Sequence, residues 1–181
     1  LSWFATFVSL MSGFSYFMQA KGILLESTSM RTLVTELIKL NLTIRTMERL
    51  TGGLFGAKIT SYSGVSKIYK GTLVTYSNQA KIKVGHVDQN IINKYGAISE
   101  ETAIAMAKNC QNIFETDIAV SFTGNAGPTV MENKAVGLVY SVIRIKDKNY
   151  LFCDHLSKSR NKIRNDIVNK TIVRLLQILG N

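Results

Sequence analysis

From Met30 onward the apolar residues switch repeatedly between two periods, and the switches fall at glycine-rich turns. Apolar residues three or four apart build one face of a helix, whereas alternate residues build one face of a strand. Leu33, Leu37 and Leu40 give a helical stripe in RTLVTELIKLNL. LTIRTM then reads as a strand running into the turn TGG at 51–53, and LFGAKITSY as a helix opening on those glycines. IYKGTLVTY alternates like a strand, and SNQAKIKVG starts a short helix with Ser77 as its cap. Segment 99–114 carries the strongest helical pattern. Ser99 caps it, Glu100 and Glu101 suit its positive end, and Ala103, Met106, Ala107, Cys110, Ile113 and Phe114 share one apolar face. DIAVSF reads as a buried strand, and AVGLVYSVIRI with NYLFCDHL as a hairpin. A basic amphipathic helix from about Ser159 closes the chain, with Ile163, Ile167, Thr171, Leu175 and Leu179 inward. Strands alternating with helices predict an α/β fold, a layered α/β/α sandwich with a mostly parallel, mixed sheet.

The 181 residues suit one domain. The first twenty, LSWFATFVSLMSGFSYFMQA, carry no charge and are long enough to span a membrane. Recurrent Ser and Thr, no basic flank and no clear cleavage site argue against that role. Residues 1–29 are therefore read as an extension, and 30–181 as the domain. Membrane contact is expected only if residues 1–20 form a real anchor. Cys110 and Cys153 are too few for a disulfide framework, and no second Cys pair or His cluster accompanies them. Both are read as buried small hydrophobes in a reducing, cytoplasmic setting, with no metal and no cofactor expected.

Net charge is +10, from 22 Lys and Arg against 12 acids. Only the last helix concentrates it: Lys158, Arg160, Lys162, Arg164, Lys170 and Arg174 against Asp166. Without interleaved aromatics this cluster is a poor match for a nucleic acid, and it suits the phosphate of a small molecule. No nucleic-acid partner is expected.

In α/β sheets ligands sit at the C-terminal ends of strands, where TGG and TGNAGP (123–128) both fall. The second turn holds the chain's one proline, Pro128, which fixes its own φ and restricts Gly127. Such turns are either tight connections or cradles whose N–H groups meet phosphate or an oxyanion. Thr51 and Thr123 each open one turn with a hydroxyl. YSNQAK, Tyr76 to Lys81, gathers a phenol, a hydroxyl, an amide and an ammonium. Lys81 is either a solvated surface lysine or a buried base of lowered pKa, with Tyr76 relaying its proton.

In order and spacing, TGGL, GVSKIYKGTLVTYSNQAK, SEETAIAMA, SFTGNAGP, VGLVY and SRNKIR resemble the C-terminal domain family of the competence/damage-inducible protein CinA. The resemblance runs from about Met30 to Leu179. Active members are nicotinamide mononucleotide deamidases, so it implies hydrolysis of that carboxamide to the acid, with release of ammonia. It implies a serine nucleophile just before TGG, Lys81 and Tyr76 in proton transfer, and Thr123 against the reacting amide. Arg160 and Arg164 then meet the phosphate, and Glu48, Thr51, Gly52, Gly53, Asn78, Gly124 and Gly127 complete the substrate wall. The expected partner is nicotinamide mononucleotide or a related nucleotide, and association into a homo-oligomer is left open.

Two departures stand out. The family reads Ala-Glu-Ser-Cys-Thr-Gly-Gly where this chain has MERLTGG, so Arg49 occupies the nucleophile position. A guanidinium stays protonated and cannot replace a hydroxyl in attack. The loop after Pro128, TVMENKAVG, is shorter than the family's and lacks its glycines. Ser61, Ser63 and Ser66 match a separate surface turn and do not substitute, because a nucleophile tolerates little misplacement. Two functions follow as expectations: an amidohydrolase of the family type, direct attack by water being one altered form of it, or a non-catalytic relative that binds a nucleotide or a partner.

Overall fold

The computed structural model describes residues 28–180. The 1–20 stretch and all but the last two residues of the 1–29 segment lie outside them. Among the described residues no helix is long and apolar enough to cross a membrane.

A five-stranded mixed sheet with helices on both faces forms the fold, in the order β2-β1-β3-β4-β5. The strands are β1 (Ile44–Glu48), β2 (Tyr69–Val74), β3 (Ile118–Gly124), β4 (Leu138–Ile145) and β5 (Lys148–His155). β1 pairs in parallel with β2 and β3, whereas β3–β4 and β4–β5 are antiparallel. Helix α1 covers 28–40, followed by α2 (Leu54–Thr60), α3 (Asn78–Lys83), α4 (Gln89–Tyr95), α5 (Glu100–Phe114) and α6 (Arg160–Leu179).

Alternation along each strand divides the core. Ile118, Val120 and Phe122 of β3, with Val139 and Ile143 of β4, meet Leu33 and Leu37 of α1, Phe55 and Ile59 of α2, and Ile163, Ile167 and Leu175 of α6. Met47 and Ala119 face the other way, onto Met106 and Cys110 of α5 and Ile92 of α4. β1, β3 and β4 thus bury both faces, the arrangement required when helices cover both sides of a sheet, while the edge strands β2 and β5 stay partly exposed.

Three expectations need correcting. Leu40 is 43% exposed, because α1 stops there and Asn41 takes a positive φ; Met30 and Val34 complete the buried stripe instead. Phe114 lies outside the core at 54% exposure, its ring stacked 3.4 Å from the buried Arg45 guanidinium. Cys153 is exposed, not buried, since β5 is an edge strand; Cys110 is buried as expected. Helix α4 was not anticipated at all. Asp88 caps it through the Asn90 N–H at 2.8 Å, and Gly96 ends it.

Register sets the stage for the site. Glu48 lies beside Val74 of β2 and beside Phe122 of β3, so three parallel strands end level. The ladder runs one residue further, with Arg49 N–H donating to Phe122 O and Thr75 N–H to Glu48 O, both at 3.0 Å. Everything that follows those strands opens on one edge.

Candidate functional site

Three loops crowd that edge: 49–53 after β1, 75–77 after β2, and 125–136 after β3. The first does not work as an anion cradle. Glu48, fully buried, turns its carboxylate back under α2, accepting the N–H groups of Gly53 (2.9 Å), Phe55 (3.4 Å) and Gly56 (3.2 Å) and the Thr46 hydroxyl (3.0 Å). The donors that open the helix are thereby satisfied inside the chain. Left-handed Gly52 (φ 59°) and Gly53 (φ 88°) curl the turn tightly enough for this return, a conformation glycine adopts without strain. Glu48, Gly52 and Gly53 therefore shape the turn and the start of α2. The Thr51 hydroxyl, fully buried, has no hydrogen-bond partner.

Arg49 is the centre of the edge. Only 7% exposed, it reaches across to β3, where Nη1 donates to Gly124 O at 2.5 Å. Nη2 faces only the thioether of Met131, at 3.7 Å, and Nε has no acceptor. Burial lowers its pKa; Glu132 and Tyr76 oppose that shift and Arg160 adds to it. The group remains a cation. Gly124 suits this crossing because β4 packs so closely there that a Cβ would come within 2.6 Å of Leu138 O.

The YSNQAK segment splits. Ser77 is a cap, accepting the Ala80 N–H at 3.0 Å, while Asn78 and Tyr76 point outward, Tyr76 at 58% exposure. Lys81 instead turns inward and is fully buried, Nζ donating to Thr75 O at 3.1 Å. Burial first, then the Arg49 charge, lowers its pKa to about 7, against an opposing contribution from Glu132. The Thr75 hydroxyl, also buried, is unpartnered.

TGNAGP leads into an arm over 128–136, not into a helix. Thr123 is buried, and its hydroxyl donates to Ala97 O at 2.5 Å, so its proton is committed to the scaffold. Asn125, absent from the expected residues although it stands inside the motif, pins the turn. It accepts the Gly127 N–H at 2.8 Å and donates to Thr129 O at 2.8 Å and Lys134 O at 3.3 Å. Gly127 has φ 77° beneath Val136, and its bond to Pro128 is cis. Glu132 was also missed: its carboxylate accepts the Ile98 N–H at 3.1 Å and acts electrostatically on both Arg49 and Lys81. Its signal was present, as the one acid of an arm opposite an unexplained arginine.

Helix α6 ties the three loops together. Arg160 donates through Nη1 to Gly127 O (2.6 Å) and through Nη2 to the Tyr76 hydroxyl (3.0 Å). Arg164, one turn on, donates through Nη2 to Thr51 O (2.8 Å). The basic character of the helix is largely consumed at home, for Lys158 pairs with Asp166, and Lys170 and Arg174 both pair with Asp154. Arg49, Lys81, Thr51 and Arg160 are thus brought into one neighbourhood with Tyr76 at its rim. Asn78 stays at the surface.

The CinA C-terminal domain model matches residues 26–179. A CinA-like protein of Kosmotoga olearia is 44% identical over 139 residues, and a putative competence-damage inducible protein of Bacillus thuringiensis is 43% identical over 127. Those alignments cover 76% and 70% of this chain but 34% and 31% of the relatives, so the chain spans about a third of the curated proteins it matches. Among solved structures, the competence-damaged protein (CinA) superfamily protein of Escherichia coli superposes with a TM-score of 0.82 at 28% identity, over 84% of this chain and 90% of that one. The competence/damage inducible protein CihA of Agrobacterium tumefaciens gives 0.81 at 28%, over 87% and 96%. The motif order, the sheet and these matches agree: the chain belongs to the CinA C-terminal domain family.

Proposed function

We propose that this domain is a pyridine mononucleotide site in which the family's amide hydrolysis has been lost, leaving a binding module. The observation that carries the reading is Arg49. A buried guanidinium bonded to Gly124 O stands at the nucleophile position, and it cannot form the acyl intermediate that a serine would. What supports retained binding is the set of bonds made by Glu48, Lys81, Asn125, Arg160 and Arg164, which hold the loops on that edge. One observation favours a second reading, direct attack by water: an amine with a pKa of about 7 suits a general base at neutral pH.

Ammonia release from nicotinamide mononucleotide decides between them. The parent chain is expected to release none above background, since removing a nucleophile costs about 10⁴-fold or more. Arg49→Ser is expected to raise the rate measurably. Turnover by the parent at an ordinary enzymatic rate would overturn the binding-module reading and support attack by water.

A further inference from the structure

The guanidinium of Arg49 has two usable edges, and only one is occupied by an oxygen. Nη1 is bound to Gly124 O, while the edge formed by Nε–H and Nη2–H meets no oxygen among the described residues. That second edge is the fork that grips a carboxylate through two parallel hydrogen bonds. A buried cation with an unmet donor pair is costly, and a bidentate carboxylate is the group that best offsets the cost.

We propose that the nucleotide held here carries a ring carboxylate in place of a carboxamide, with Arg49 as its specificity-determining residue. The inference rests on the binding reading above and names the ligand of that same site. A carboxamide offers one acceptor and an NH₂ donor, so it would set a donor against Nε–H or Nη2–H, whereas a carboxylate offers two acceptors. The group facing Nη2 is the Met131 thioether, a weak acceptor on an exposed arm. Charges around the fork favour an anion: Arg49, Arg160 and the titrating Lys81 act against one acid, Glu132. Glu132 is itself held by the Ile98 N–H, not by Arg49.

Calorimetric titration of the full chain with nicotinic acid mononucleotide, nicotinamide mononucleotide and ribose 5-phosphate tests this. The acid is expected to bind roughly ten- to a hundred-fold tighter than the amide, the worth of a charge-assisted pair over its neutral counterpart. Arg49→Ala, which has no hydroxyl to attack the amide, should erase the preference, and Arg49→Lys, which keeps the charge but loses the fork, should retain only part of it. Glu132→Gln, which removes the competing charge, should strengthen acid binding. Thermal unfolding of each variant establishes that it is folded. Equal affinity for acid and amide would overturn the proposal while leaving a nucleotide site. Binding of ribose 5-phosphate as tight as the acid, or equal losses for both nucleotides on Arg49→Ala, would place phosphate at Arg49 and also overturn it. If neither nucleotide binds the parent, the binding reading itself falls.

Discussion

Lys81 illustrates what a single buried amine does to a fold. Its ammonium is enclosed with one backbone carbonyl as acceptor, and the folded chain releases the proton near pH 7 instead of near 10.5. Below about pH 7 the full penalty of the buried charge is present, and above 10.5 it is gone. Between those values the unfolded chain holds a proton that the folded chain lacks, so this residue makes stability rise with pH. The Cys110 thiol, raised by burial to about 12 from 9.0, acts in the opposite direction above its unfolded value. Urea midpoints at pH 7 and pH 9 therefore sample the part of this window below the Cys110 titration, and Lys81→Met is expected to raise stability at pH 7 and flatten the slope. An unchanged slope in that variant would mean that Lys81 does not titrate in this window. Sequence could place Lys81 only on a choice between surface and interior, because its inward turn depends on where α3 sits. Glu48 was harder still. Its carboxylate serves helix donors five to eight residues later, a reach created by the two left-handed glycines and invisible to ordinary capping patterns.

Among the elements, α6 contributes most to the site without entering it. Its first two turns place Arg160 on Gly127 O and Arg164 on Thr51 O, so one helix fastens two loops that belong to different strands. Replacing both arginines by alanine is expected to cost about 2 kcal/mol, given partial solvent screening of charge-assisted bonds. Hydrogen exchange should also accelerate at the amides of Gly53 and Gly127; unaltered protection there would show that the turns hold themselves. Periodicity made α6, α5 and the strands legible, since each buries a full face. Helix α4 escaped because at seven residues it shows too little period, and only its Asp88 cap and closing Gly96 marked it.

At the scale of the whole molecule, the sheet order fixes what is accessible. β2 and β5 are the edges, and β5 carries Cys153 outward beside His155 at 3.9 Å. Native chain is expected to give one thiol per molecule to a disulfide reagent within minutes and two after unfolding, with the slow thiol lost in Cys110→Ala. Equal reactivity of both native thiols would contradict the buried setting of Cys110. That the two glycine turns share one edge of the sheet could be read from the sequence, because level strand ends follow from the topology. The arm over 128–136 could not, as its path depends on Asn125 bonding within the arm, Glu132 reaching Ile98 and Arg49 reaching Met131. The fastening by α6 has one further consequence. Both of its bonds to the glycine turns end on main-chain oxygens, which every amino acid supplies. These two fastenings therefore ask nothing of the side chains at their acceptor positions, and α6 would keep its hold on both turns while the residues between them change.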